Sequence, residues 1–320
     1  MNESLLPTDR ELEKLFTRTF ADRLAGDTAA VLERTPLGQG SFPKEILKLG
    51  LGEDTIELFC KYEGGFDHSA HGHRGGVPYE SRVYEEILGP GGHDTVDVVR
   101  VHRPEDRADT WLFLRLVPGA LRVSKVPEPG AMAAAAAWAG RFHGRTSGTD
   151  VPSFVTRYDR DYYLGWIERT DANVQEGGGA GAWWADVVRR FEEHLPILDD
   201  PEACLIHGEY YPKNVLWSAG RIYPVDWESM ALGPGVVDLV RLVDRWPRVE
   251  VERCTEAYVR NRWPSGAPAW FADQRPLAEM YLQFHWLGEA KDAEWKPEIP
   301  AQDWPRVRRI REVALDLGWM

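Results

Sequence analysis

Apolar positions repeat in two ways along the chain, and the change of period divides it. Alternation dominates the first third. Residues 56–62, Ile-Glu-Leu-Phe-Cys-Lys-Tyr, alternate as a half-buried strand does. Residues 45–49 form a strand before it, across a turn at Gly52-Glu53-Asp54, and 96–102 and 110–117 read as two more. Helical spacing brackets them. Leu12, Leu15, Phe16 and Phe20 share one face behind the capping box Thr8-Asp9-Arg10-Glu11, predicting a helix from about Asp9 to Leu24. A second helix is predicted over 79–88, with Val83, Tyr84, Ile87 and Leu88 inward. After Pro118-Gly119 alternation stops. Helices are expected over 131–143, 158–168 and 183–195, the last stopped by Pro196, with a glycine-rich link at 176–181. The pattern predicts an α+β chain of two lobes. Residues 1–117 make a small antiparallel-sheet lobe, 118–320 a larger and mainly helical one.

The densest chemistry lies between Cys204 and Val240. A buried strand, Cys204-Leu205-Ile206, runs into His207-Gly208-Glu209, and Asn214 follows five residues after Glu209. Val215-Leu216-Trp217, the turn Ser218-Ala219-Gly220 and the returning run 221–225 read as a hairpin ending at Asp226 and Glu228. Such a hairpin is expected to bring Asn214 beside Asp226, with Glu209 above them. Carboxylates and an amide oxygen suit a hard cation such as Mg²⁺. Upstream, Gly38-Gln39-Gly40-Ser41 precedes the strands, where backbone N–H groups can meet phosphates. Lys61 stands late in the strand that follows.

Composition narrows the partners. A net charge of −13 disfavours nucleic acid and anionic membrane and suits a cationic small molecule. The apolar run 131–139 is too short to span a bilayer, and the start lacks the basic and apolar regions of a signal peptide. Cys60, Cys204 and Cys254 have no metal spacing, so buried thiols in a reducing cytoplasm are expected. His68, His71 and His73 lack supporting cysteine or acid spacing.

His-Gly-acid, four residues, Asn, then a hairpin ending in Asp resembles the signature of the aminoglycoside phosphotransferase and choline kinase-like family. That family is a relative of the protein kinases. One departure stands out: Glu209 occupies the place where the family usually has aspartate.

The resemblance implies a bilobal protein-kinase-like fold and an ATP- (or GTP-) and Mg²⁺-dependent phosphotransferase. Gly38, Gly40, Ser41 and Lys61 would hold the phosphates. Glu80 would pair with Lys61, with Glu85 and Glu86 as alternatives. Adenine would meet the backbone near Leu114 and Leu116. Asn214 and Asp226 would hold Mg²⁺, with Glu228 as a further acid. Glu209 would accept the acceptor's proton or orient its hydroxyl. His143 is read as a packing residue and Asp238 as support for the catalytic loop. The acceptor site is placed in the C-terminal helical region, with Trp286, Glu289 and Asp303 as candidates. Asp226 is followed by Trp-Glu rather than Phe-Gly, and Asp238 comes soon after, which favours a small-molecule hydroxyl such as that of an amino sugar, aminoglycoside or amino alcohol. The alternatives are a kinase for peptide serine or threonine, a nucleotide-binding pseudokinase resting on Glu209, and a metal-dependent hydrolase with no need of Lys61.

Overall fold

In the computed structural model, the described residues are 6–38, 42–64, 75–105, 109–128, 130–199, 202–289 and 299–320. Gly40, Ser41, His68, His71 and His73 lie outside them. The chain forms two compact units that are not two consecutive stretches. The first combines Met1–Ser69, Arg74–Leu121 and Leu216–Ser229; the second holds Ala70–His73, Arg122–Val215 and Met230–Met320.

The first unit is built on a five-stranded antiparallel sheet in the order β1-β2-β3-β5-β4. Its strands are β1 (Ala30–Pro36), β2 (Lys44–Leu51), β3 (Asp54–Tyr62), β4 (Val98–His102) and β5 (Trp111–Arg115). β2 alternates strictly between buried and half-buried positions, as its sequence predicts. Helix α1 (Asp9–Thr19) carries the expected capping box and buries Leu12, Leu15 and Phe16. These join Leu47, Leu49, Leu58 and Phe113 in one apolar cluster, with the Phe16 and Phe113 rings edge to face at 4.9 Å. The first helix is shorter than expected. It breaks at Phe20, and a single turn, α2 (Ala21–Leu24), follows. The predicted 79–88 helix is α3 (Gly76–Arg82) continued by a π-helical turn, Val83–Leu88. A hairpin of Val215–Ser218 and Arg221–Pro224, all but its first residue in this unit, turns through Ala219 and Gly220. Both turn residues have positive φ, the type of turn that matches strand twist.

A buried ion cluster ties the sheet edge together. The Arg34 guanidinium donates to both Glu45 oxygens at 2.8 and 2.7 Å, and the Tyr62 hydroxyl donates to Glu45 at 2.6 Å. Arg34 also reaches Asp9 at the start of α1. One fully buried carboxylate thereby joins β1, β2 and β3, and Arg34 carries the link on to α1 through the exposed Asp9.

The second unit is helical: α4 (Ala131–Thr146), α5 (Arg160–Glu176), α6 (Trp183–Leu198), α7 (Val236–Val243), α8 (Arg248–Arg262), α9 (Trp270–Glu289) and α10 (Pro305–Asp316). α9 is its axis, packed by α5, α6, α7 and α10. Pro196 does not stop α6, which runs on to Leu198. So near the C-terminal end, proline sacrifices only one bond of the helix. α4 lies close against α8, where a Cβ at Gly140 would stand 2.5 Å from the Tyr258 carbonyl. A small sheet sets Ala231–Gly233 between Thr156–Arg157 and Cys204–Ile206. All three cysteines are buried and free. No helix among the described residues is long and apolar enough to cross a membrane.

Candidate active site

In the first unit, β3 delivers Lys61 to a group of carboxylates. Its ammonium is 2.7 Å from Glu80, 2.8 Å from Asp226 and 3.4 Å from Glu228. Lys61, Glu80 and Glu228 are buried, while the Asp226 side chain is 38% exposed and forms the open side of the group. Burial alone would lower the Lys61 pKa. The three carboxylates outweigh it and hold it well above the ordinary lysine value. Burial raises the Glu80 carboxyl, opposed by Lys61. The Phe42 ring lies 5.1 Å from the ammonium.

Glu80 resolves the choice among the helix acids. Glu85 is bound to Arg103 and Glu86 to Arg82. Five and six residues beyond Glu80, they fall well round the helix from it. The second Glu80 oxygen accepts the Trp227 amide at 3.2 Å. Trp227 is fully buried and donates its indole N–H to Pro224. Asp226 takes a left-handed conformation, φ 70°, between the end of the hairpin and this anchored tryptophan.

Beside the Lys61–Glu80 pair, Asp226 and Glu228 offer carboxylate oxygens of the kind a divalent cation prefers. The facing carboxylate oxygens of Asp226 and Glu228 lie within 4.8 Å of one another.

The remaining nucleotide candidates are placed less directly. Gly38 is exposed, with open space where a Cβ would stand. Leu114 is buried within β5, paired with Phe59 and Val98. The Leu116 amide already donates to the Glu57 carbonyl, so that N–H is not the free edge expected for adenine.

In the second unit, the strand Cys204–Ile206 leads into the loop that carries Glu209 and Asn214, both buried. Gly208 takes φ 78°, open to glycine at no steric cost. The Glu209 carbonyl accepts the Tyr211 amide at 2.6 Å and the Asn214 side-chain N–H₂ at 3.0 Å. Asn214 thus spends its nitrogen on the loop, which turns its oxygen into the ligand atom on offer.

Asp238 on α7 holds this loop. Its carboxylate accepts the amides of His207 at 2.7 Å and Gly208 at 3.0 Å. It also faces His143 Nε2 at 3.1 Å, while His143 Nδ1 faces the Tyr258 hydroxyl at 3.0 Å. Arg262 donates to that hydroxyl at 2.8 Å. Burial would raise the Asp238 pKa, but His143 and the donated amides bring it below the ordinary value. Burial lowers His143, opposed by Asp238. A neutral imidazole donating from Nε2 to an ionised Asp238 satisfies both directions. Both residues therefore act within the loop's support.

Sequence reasoning missed Arg241 and Tyr211. Arg241 is buried on α7, donating to the hydroxyls of Tyr211 at 3.2 Å and Tyr281 at 3.4 Å. The available signal was a lone arginine in the apolar run Val236–Val243, a place where a cation is rarely buried without a purpose. Of the acceptor candidates, Trp286 lies 5.5 Å from the Tyr211 ring, and its indole N–H is buried without a partner among the described residues. Its ring carries the Arg306 guanidinium at 4.7 Å, so the chain's own arginine occupies a face expected to cradle a substrate ammonium. Glu289 contributes to the field at Tyr211. Asp303 is exposed in the single turn Ala301–Asp303, with no side-chain hydrogen bond to join it to Trp286.

The comparisons agree with this architecture. No curated protein matches the sequence. Among solved structures, choline kinase LicA from Streptococcus pneumoniae is similar at TM-score 0.58 and 13% identity, covering 97% of this chain and 100% of that one. The GDP complex of aminoglycoside 2'-phosphotransferase-IIIa gives TM-score 0.58 and 14% identity, with 95% and 99% covered. Amicoumacin kinase hAmiN, in complex with AMP-PNP and Ca²⁺, gives 0.59 and 14%, with 88% of each chain covered. At these identities the likeness shows the protein-kinase-like fold. The family model described as the phosphotransferase enzyme family matches residues 77–272, more than half of the chain, and the protein belongs to that family.

Proposed function

We propose that the protein moves the γ-phosphate of ATP or GTP to a hydroxyl of a small, amine-bearing molecule such as an amino sugar, aminoglycoside or amino alcohol. The observation that carries this reading is Lys61 held by Glu80 and bordered by Asp226 and Glu228. A lysine so fixed offers its charge to nucleotide phosphates. Asp226 and Glu228, with the Asn214 oxygen, are the proposed Mg²⁺ ligands. When bound, the cation neutralises charge on the transferring phosphoryl group. Gly38, Gly40 and Ser41 are proposed to lie along the phosphates, and Leu114 and Leu116 near the base.

Glu209 is proposed to accept the proton of the acceptor hydroxyl or to orient it. Glutamate has one methylene more than the family's aspartate. Misplacing a catalytic group by about 1 Å costs on the order of a hundredfold. The Tyr211–Arg241 anchor supports a loop adjusted to the longer side chain. The amine preference rests on the choline and aminoglycoside kinases among the similar folds and on the chain's net charge of −13. Trp286 and Glu289 are the proposed acceptor contacts. A cytoplasmic location is proposed from the three free thiols.

The test is phosphate transfer from ATP to a panel of amino alcohols, aminoglycosides, amino sugars and hydroxyl peptides. Transfer is expected for wild type and lost in Glu209→Gln. Nucleotide binding with no transfer to any of them would favour the pseudokinase reading that Glu209 supports.

A further inference from the structure

The second unit holds a cleft of about 770 Å³ between the end of α7, the start of α8, α9 and α10. Five arginines line it: Arg245, Arg248, Arg275, Arg306 and Arg309. In a chain of net charge −13 this is a local reversal of sign. Three carboxylates share the cleft, and each is engaged. Glu252 is bound by Arg248, Glu279 by Arg309, and Asp244 faces Arg306 at 3.5 Å. Arg245 and Arg275 have no carboxylate partner among the described residues, so the lining carries two more positive charges than negative ones.

Arg306 is set in place. Its side chain is 11% exposed, donates to Gln283 at 2.7 Å and lies over the Trp286 ring. Burial pulls its pKa below the ordinary guanidinium value, opposed by Asp244 and helped by Arg245. A guanidinium fixed this way loses little freedom on meeting an oxyanion, and its fork matches carboxylate and phosphate.

We propose that this cleft binds the carboxylate or phosphate group of a small molecule through Arg245, Arg275 and Arg306. Arg306 lies over the Trp286 ring, which is 5.5 Å from the Tyr211 ring that Arg241 anchors, so the anion subsite is linked by packed rings to the support of the Glu209 loop. The ligand is either a free inorganic anion or an organic molecule with an anionic tail.

Calorimetry on the full chain, without nucleotide or metal and at low salt, tests this with inorganic phosphate and glycerol 3-phosphate as probes. Saturable binding of one anion per chain is expected. Arg275→Gln combined with Arg245→Gly should weaken it about tenfold or more, the loss of a charge-assisted contact. Arg245 has φ 64°, so glycine there relieves the backbone, and a thermal scan verifies the fold. Lys61→Met should leave the binding in place. Glycerol 3-phosphate binding more tightly than phosphate identifies an organic ligand; equal affinities identify the free anion. No saturable binding, or binding that survives the double variant and vanishes in Lys61→Met, overturns the proposal. Since no nucleotide is present, neither result depends on phosphate transfer.

Discussion

Arg241 donates to the Tyr211 hydroxyl at 3.2 Å from inside the core, three residues along the same helix from Asp238. Asp238 grips the loop at His207 and Gly208, and Arg241 grips it at Tyr211, whose carbonyl accepts the Asn214 amide. One short helix thus fixes both ends of the segment that carries Glu209.

Tyr211→Phe leaves the buried Arg241 with a single tyrosine hydroxyl. The expected cost is about 1–3 kcal/mol in urea unfolding. Arg241→Met removes the buried charge with its need for partners, so the double variant should be less destabilised than the sum of the single ones. A double-mutant cycle reads this directly. Additive losses would mean that the bond contributes nothing.

Acid should weaken the second unit through His143 and Asp238. Both have folded pKa values below their ordinary 6.5 and 3.8. The unfolded chain therefore binds protons first, and the stability is present above those ordinary values. It falls as pH drops below 6.5 through His143, then below 3.8 through Asp238. Each proton contributes at most about 1.4 kcal/mol per pH unit. Stability measured between pH 8 and pH 5 should fall less in His143→Gln than in wild type; equal slopes would remove His143 from the account.

Gly235 is required by the same network. A Cβ there would stand 2.5 Å from His143 Nδ1, 2.6 Å from the Tyr258 hydroxyl and 2.7 Å from Arg262. Gly235→Ala should cost about 1–3 kcal/mol by overpacking and reduce turnover. An unchanged melting temperature would show that the network yields freely.

Glu45 should be among the costlier acids to lose in the first unit. Glu45→Ala leaves the Arg34 guanidinium with Asp9 and the Pro7 carbonyl and takes the acceptor from the buried Tyr62 hydroxyl, at an expected cost of about 1–3 kcal/mol. Arg34→Met together with Glu45→Leu should recover much of it, as monitored by guanidinium unfolding.

What could be read from the sequence follows the range of the interactions. Lys61 and Asp226 sit on elements whose periodicity or turns mark them, Glu80 and Asp238 stand out only through the family resemblance, and the antiparallel sheet and helical remainder follow from the change of period. β1 was missed because it is an edge strand with little alternation and an exposed Leu32. The run of α6 through Pro196 depends on a proline placed in its last turn. The Tyr211–Arg241 bond joins residues thirty positions apart, and the Arg306–Trp286 contact joins neighbouring helices. Neither leaves a mark in local spacing. Nothing near Trp286 in the sequence announces that a cation from α10 lies over its ring.

The most direct measurement is calorimetric titration of folded protein with ATP and Mg²⁺, comparing wild type with Asp226→Asn and Lys61→Met. Asparagine tolerates the left-handed backbone at 226, so the first variant tests charge rather than strain. Saturable, metal-dependent binding that falls about tenfold or more in both variants is expected. Absence of binding by folded wild type, or binding indifferent to metal and to both substitutions, would contradict the account.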